Sequence, residues 1–283
     1  MSLRLVSLAL ALVVAAVRWG GAGQAPASNS VRFAVIGDNG TGARPQYEVA
    51  DQMVRARARF PFDFVLMLGD NIYGGKSAQD FRLKFEEPYR ALLAGGVRFY
   101  ASLGNHDNPN ERLYRLFNMD GKRFYTFTRS SVRFFALDST YMSREQLGWL
   151  ERELSSADER WKICFFHHPM YSSGARHGSD IELRQVLEPL FVRHHVNVVF
   201  AGHDHIYERI NPQQGIYYFI SGAAGQLRSE NVRPTGLTAK AFMRDRHFML
   251  VEVEADQLRF EAVSRTGEVV DSGILPRHPK GIE

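Results

Sequence analysis

Leu66-Met67-Leu68-Gly69-Asp70-Asn71-Ile72-Tyr73 decides how the rest of the chain is read. Phe64 to Leu68 is an apolar run too short for a helix and long enough for a buried strand, and Gly69 ends it where an open turn can begin. Asp70 therefore sits at a strand's carboxyl end, the edge of an open α/β sheet where loops carry chemistry while strands hold them rigid. One Asp in such a place proves little. Three further strand-like runs end the same way, as Ile36-Gly37-Asp38-Asn39-Gly40, Leu103-Gly104-Asn105-His106-Asp107 and Ala201-Gly202-His203-Asp204-His205. Each is an apolar strand, then Gly, then a residue type that binds metals. A fifth run, Ile163 to Phe166, ends directly in His167-His168-Pro169. Loops of ligand-type residues gathered at one sheet edge predict a metal site.

Around these loops the chain alternates. Val31 to Ile36 reads as the first strand, and Pro45 fits the start of a helix running to about Phe60 with Val49, Met53 and Val54 as its apolar stripe. Phe62 to Leu68 is the second strand, and a helix from about Ala78 to Leu93 carries Phe81, Phe85, Tyr89 and Leu92 at helical spacing. Val97 to Leu103 completes a beginning that favours a parallel sheet. After Pro109, Phe124 to Thr128 and Val132 to Leu137 form a hairpin joined by Arg129-Ser130-Ser131. Ser143 caps a helix to about Leu154, with Gln146 placed as in a capping box. Trp161 to Phe166 returns to strand, and the helix Ile181 to His194 leads into a strand at Val196 to Phe200. Ile216 to Ser221, Phe248 to Val253, Gln257 to Val263 and Glu268 to Val270 are further strands, while Ala224 to Met243 has little periodicity and reads as a surface loop. Two packed sheets with helices outside, an α/β architecture, is the expected result.

With 45% hydrophobic and 23% charged residues over 283 positions, the composition is that of one globular domain with a substantial core. Residues 1–27 stand apart as a signal peptide: Arg4 supplies a positive start, Leu5 to Val17 an apolar core, and Gly21-Ala22-Gly23 or Ala25-Pro26-Ala27 the small residues for cleavage. Arg18 interrupts the run before the roughly 20 apolar residues of a spanning helix. The expectation is a secreted or periplasmic protein of one domain, 28–283, with no stable membrane insertion after cleavage. Cys164 is the single cysteine and lies in an apolar run, so it reads as a small core hydrophobe and no internal disulfide forms. The net charge of +4 comes without a Lys/Arg run dense enough for nucleic acid, and argues at most for attraction of small anions such as phosphate.

His203-Asp204-His205 places two imidazoles on an irregular turn that can direct both to one centre. Carboxylates, an amide oxygen and imidazoles together suit a first-row metal rather than calcium, which prefers all-oxygen cages. Asp38, Asp70, Tyr73, Asn105, His167, His203 and His205 are too many for one four-coordinate site and suit two metals sharing a carboxylate. Two metals about 3.5–4 Å apart can clamp a phosphoryl group and activate a water between them, which makes phosphoester hydrolysis the natural chemistry.

Gly37-Asp38-Asn39-Gly40, Gly69-Asp70-Asn71-Ile72-Tyr73, Gly104-Asn105-His106-Asp107, His167 and Gly202-His203-Asp204-His205 stand in the order found in the calcineurin-like metallophosphoesterases, which the chain resembles from about Val31 to Ile210. Most of that superfamily has Asp-x-His at the first motif. Here the third position is Gly40, and Tyr73 follows three residues after Asp70, as in the purple acid phosphatases, with a size similar to the small tartrate-resistant type. A disulfide of mammalian relatives cannot form with one Cys. The resemblance implies a four-layer α/β/β/α sandwich of two mixed sheets. It also implies that Asp38, Asp70, Tyr73 and His205 bind ferric iron, and that Asp70, Asn105, His167 and His203 bind ferrous iron, zinc or manganese, with Asp70 as the bridge. A phenolate is a hard anionic ligand that favours the trivalent ion. The family's ligand His lies two residues before a Pro, which selects His167 and puts His168 at a variable position.

The same resemblance matches His106 to a substrate-contacting His and His177-Gly178 to an element near the leaving group, with Asp107 orienting His106. Either His can bind phosphate or protonate the departing alkoxide. His194 and His195 read as helix-end residues, His247 and His278 carry no motif, and Asp138 reads as structural. The implied function is an acid phosphatase in which metal-bound hydroxide attacks a phosphate monoester. A phosphodiesterase or nucleotide pyrophosphatase on the same dimetal site is the alternative, and a non-catalytic phosphate-binding or surface protein is a further one.

Overall fold

The computed structural model describes residues 30–229, 232–233 and 235–277; the expected leader over 1–27 and His278 lie outside the described residues. Strands β1 (Val31–Ile36), β2 (Phe64–Leu68) and β3 (Arg98–Ser102) pair in parallel, with α1 (Arg44–Arg59) crossing between the first two. They are buried at nearly every position, which is why continuous apolar runs rather than alternation mark them. The hairpin β4 (Tyr125–Arg129) and β5 (Val132–Ala136) turns at Ser130, which takes a left-handed φ of 49°. After it come α4 (Arg144–Ser155), β6 (Trp161–Phe166), α5 (Ile181–Arg193), β7 (Val198–Ala201), β8 (Tyr207–Ile210), β9 (Tyr217–Ser221), β10 (Thr238–Phe242), β11 (His247–Val253), β12 (Gln257–Ser264) and β13 (Val269–Pro276). One sheet runs β13-β12-β11-β1-β2-β3 and the other β10-β8-β9-β7-β6-β5-β4. Both are mixed, and the parallel strands of each deliver their carboxyl ends to one edge.

The sheets are held face to face by aromatic rings. Phe33 stacks on its neighbour Phe64 at 5.2 Å and meets Phe134 of the other sheet edge-on at 5.3 Å, and Phe219 meets Phe260 edge-on across the sheets at 5.0 Å. On the outer face of the second sheet Leu150, Leu154, Leu187 and Phe191 of α4 and α5 cover Phe135, Phe166 and Cys164, whose thiol burial pushes well up. Cys164 is thus a small core hydrophobe. Helix α1 buries Val49, Ala50 and Met53 in the core that the first sheet shares. The expected four-layer sandwich is present.

Three local readings change. The expected helix 78–93 is broken into α2 (Ala78–Phe81), a π-helical turn (Arg82–Glu86) and α3 (Arg90–Ala94). Pro88 has no N–H to give and its ring crowds the carbonyl one turn back, so the helix cannot run through. The freed carbonyls go to α1 instead: Gln46 Nε2 donates to Lys84 O at 2.6 Å and Tyr47 Oη to Leu83 O at 2.8 Å. Within the stretch 224–243, read as loop, β10 pairs antiparallel with β8. It is an edge strand with Lys240 exposed, and edges of this kind lack the apolar alternation that betrays a strand. Ser143 Oγ does accept the Gln146 N–H at 3.1 Å, but the Gln146 amide does not return to the cap; it donates to Asp138 O at 3.0 Å and so fixes the turn after β5.

His247 opens β11 fully buried, with Nε2 3.0 Å from Ser221 Oγ. Burial pushes its imidazole from an ordinary 6.5 down to about 3. As pH falls below 6.5 the unfolded chain takes up a proton that the folded chain refuses. The stability it supports is therefore complete above that pH and drains away toward pH 3, by up to about 1.4 kcal/mol per pH unit. Thermal melts of His247→Asn between pH 7 and 5 are expected to show a shallower fall of Tm than wild type; parallel slopes would remove this role.

Candidate metal centre

The five loops meet at the shared edge. Asp38 follows β1, Asp70 follows β2, Asn105 and His106 follow β3, His167 follows β6, and His203 and His205 follow β7. Backbone bonds stitch neighbouring loops: Asp38 N–H to Gly69 O at 3.0 Å, Tyr73 N–H to Gly40 O at 2.8 Å, and Gly202 N–H to His167 O at 2.9 Å. The two sheets are joined where the His203 N–H donates to Asp38 Oδ2 at 2.8 Å. Asp38, Asp70 and His203 all take left-handed φ values, of 54°, 53° and 68°. Each costs of order 1 kcal/mol for a residue with a Cβ, and such costs gather where geometry serves function.

Two donor groups result. In the first, Tyr73 Oη lies 3.1 Å from Asp38 Oδ1 and 3.4 Å from His205 Nε2, and His205 Nε2 is 3.3 Å from Asp38 Oδ1. Donor atoms of Asp38, Asp70 and His205 lie within 4.8 Å of one another. In the second, His167 Nε2 is 2.9 Å from Asn105 Oδ1, 3.1 Å from His203 Nδ1 and 3.5 Å from Asp70 Oδ1. His167 Nδ1 sits 2.9 Å from Leu68 O, a pure acceptor, so the ring proton is there and the Nε2 lone pair faces the cluster. Asp70 touches both groups.

The electrostatics fit a cation. Burial, then Asp70 beside it, pushes Asp38 well up; burial, then Asp38, pushes Tyr73 up. Burial drives His167 and His203 down, and burial with the Arg228 charge takes His205 to about 4. Carboxylates, a phenol and imidazole lone pairs thus crowd one another with little positive charge among them. Cations would relieve that crowding, and oxygen with imidazole donors is a set of the kind that suits first-row ions.

Each residue expected at the site from the sequence is brought to it. His106 and His177 sit on the exposed rim: the His106 N–H donates to Asp70 Oδ1 at 2.9 Å and its ring lies 5.1 Å from Tyr73, while the His177 ring lies 4.1 Å from His203. Asp107 is a correction. Its carboxylate does not hold the His106 ring; it accepts from the Asn71 N–H at 2.7 Å, Asn71 Nδ2 at 2.8 Å and the Gly104 N–H at 2.9 Å, and so anchors the loop carrying Asp70 and Tyr73 to the loop carrying Asn105. Two residues outside the expected ligand set also take part, His168, which the resemblance puts at a variable position, and Asp204 of the His-x-His turn. His168 lies with its ring 4.4 Å from His203 and its Nδ1 2.9 Å from Ser139 Oγ, close enough to join the second group. Asp204, buried between His203 and His205, accepts from Ser172 Oγ at 2.5 Å and holds the His-x-His turn. A cavity of about 640 Å³ opens elsewhere, between the β3 and β4 edges, and contains none of these residues.

The family model for calcineurin-like phosphoesterases matches residues 31–207. The chain is 27% identical to tartrate-resistant acid phosphatase type 5 of Rattus norvegicus over 90% of its own length and 93% of that protein. Among solved structures it resembles GAP50, the anchor in the inner membrane complex of Plasmodium, with a TM-score of 0.79 at 22% identity over 90% of this chain and 91% of that one. It also resembles purple acid phosphatase PPD1 of yellow lupin, Lupinus luteus, with a TM-score of 0.74 at 19% identity over 88% of this chain and 54% of that one. At those identities the two structures speak to the fold alone.

Proposed function

Because the chain belongs to the calcineurin-like phosphoesterase family, we propose that it is a purple-acid-phosphatase-type hydrolase of small phosphate monoesters, exported by its leader to a secreted or periplasmic location. The observation that carries the reading is Tyr73 Oη beside Asp38 and His205, opposite an imidazole and amide group, with Asp70 between. Asp38, Asp70, Tyr73 and His205 would hold one ion and Asp70, Asn105, His167 and His203 the other. A phenol and two carboxylates favour ferric iron in the first, and two imidazoles with an amide favour ferrous iron, zinc or manganese in the second. Bound there, the pair would supply Lewis acidity at the phosphoryl oxygens and a water acidic enough to act as nucleophile.

The chain's own residues do the rest. His106 and His177 approach from different loops on the exposed side, so their imidazoles can hydrogen-bond phosphoryl oxygens and hand a proton to the departing alkoxide. Asp107 keeps the Asp70 and Asn105 loops in register. Hydrolysis of 4-nitrophenyl phosphate and bis(4-nitrophenyl) phosphate at pH 5 tests the reading. The monoester is expected to be preferred in kcat/KM by about ten-fold or more. A preference for the diester would assign a phosphodiesterase, and metal-loaded protein that turns over neither would leave a phosphate-binding protein.

A further inference from the structure

Two arginines, Arg228 and Arg176, belong to the loops on the His177 side of the candidate metal centre. Arg228 is half-buried, and its backbone N–H donates to the carbonyl of His205 at 2.9 Å, which fixes it next to a candidate ligand. Its Nε is buried with no hydrogen-bond partner. Arg176 directly precedes His177 and is exposed. The loops that carry them are tied together: Gly174 and Val232 form an isolated β-bridge, the Arg233 N–H donates to Ser173 O at 2.9 Å, and Ser173 Oγ lies 2.6 Å from Thr235 Oγ1. Among the described residues neither guanidinium has a carboxylate within ion-pair distance. Asp204, in the same turn as His205, gives one oxygen to Ser172 and keeps the other buried. Both arginine charges bear on His177, and that of Arg228 is, after burial, the foremost influence on His177 and His205 alike.

A half-buried guanidinium with no carboxylate partner is a good anion receptor, because its fork of donors matches a phosphate and the surrounding protein screens the pair weakly. The metal ligands already account for the scissile phosphoryl group. We propose that Arg228 and Arg176 form a second anion subsite beside the metal centre, taking phosphomonoesters whose leaving group carries another phosphate. The proposal rests on the hydrolase reading above and specifies its substrate class.

Kinetics with fructose 1,6-bisphosphate and fructose 6-phosphate test it. The wild-type protein is expected to favour the bisphosphate, and Arg228→Gln to lower the ratio of the two kcat/KM values by about ten-fold or more, mainly through KM, with Arg228→Lys keeping part of the preference. Arg176→Gln, at an exposed position, is expected to lower the ratio in the same direction and carries the test should Arg228→Gln melt early. A double variant whose ratio stays within about twofold of wild type would overturn the subsite while leaving the hydrolase intact. Wild-type protein that hydrolyses neither sugar phosphate nor an aryl phosphate would remove the hydrolase reading instead.

Discussion

Asp70→Asn is expected to empty both metal sites together and to lower aryl phosphate turnover by about 10³-fold, ~4 kcal/mol of transition-state stabilisation. Asp70 is the one candidate ligand common to the two groups: its carboxylate lies within donor range of Asp38 and His205 on one side and 3.5 Å from His167 Nε2 on the other. The substitution keeps the shape and can keep the bond from the His106 N–H to Oδ1, so the fold is preserved while the shared anionic charge is lost. Elemental analysis alongside kcat/KM checks it. His203→Ala, which touches only the second group, is expected to lose about one ion per chain rather than two. An Asp70→Asn protein that keeps a full metal complement would show that the two groups do not share this bridge.

Gly40→Ala is expected to destabilise the protein by about 3 kcal/mol or more, a fall in Tm of roughly 6–12 °C, and to displace Tyr73. A Cβ at Gly40 would stand 1.9 Å from Asn71 O, 2.2 Å from its carbonyl carbon and 2.5 Å from Ile72 N. All three are backbone atoms of the loop that Asp107 pins, so no side-chain rotation relieves the clash. The absent side chain is what lets this loop close on the first, with the Tyr73 N–H donating to Gly40 O at 2.8 Å. Here, then, the Gly that replaces the superfamily's histidine and the Tyr three residues after Asp70 are physically linked: a side chain at position 40 and this approach of the Tyr73 loop exclude each other. Thermal denaturation measures the effect, and a Gly40→Ala protein as stable as wild type would contradict that linkage.

Much of this was legible because the strands that feed the site are buried on both faces. Phe64–Leu68 and Ile163–Phe166 are unbroken apolar runs, and candidate ligands stand directly after such runs or one Gly beyond them. Contacts distant in sequence were not legible. The break at Pro88 is plain chemistry, but that α1 side chains take over the Leu83 and Lys84 carbonyls is set by packing. Asp107 reads as a partner for its neighbour His106, yet its acceptors serve a loop thirty-six residues away in sequence. Edge strand β10 has no apolar alternation to announce it, and Arg228 gains significance only because its loop folds back on the His205 turn.

The most direct measurement is a visible absorption spectrum of the purified protein taken with its metal content. The expected result is about two first-row ions per chain and a broad charge-transfer band in the middle of the visible range, with the band lost in Tyr73→Phe. Protein that takes up no first-row metal under any loading, and shows no such band, would contradict a dinuclear centre built on Asp38, Asp70, Tyr73, Asn105, His167, His203 and His205.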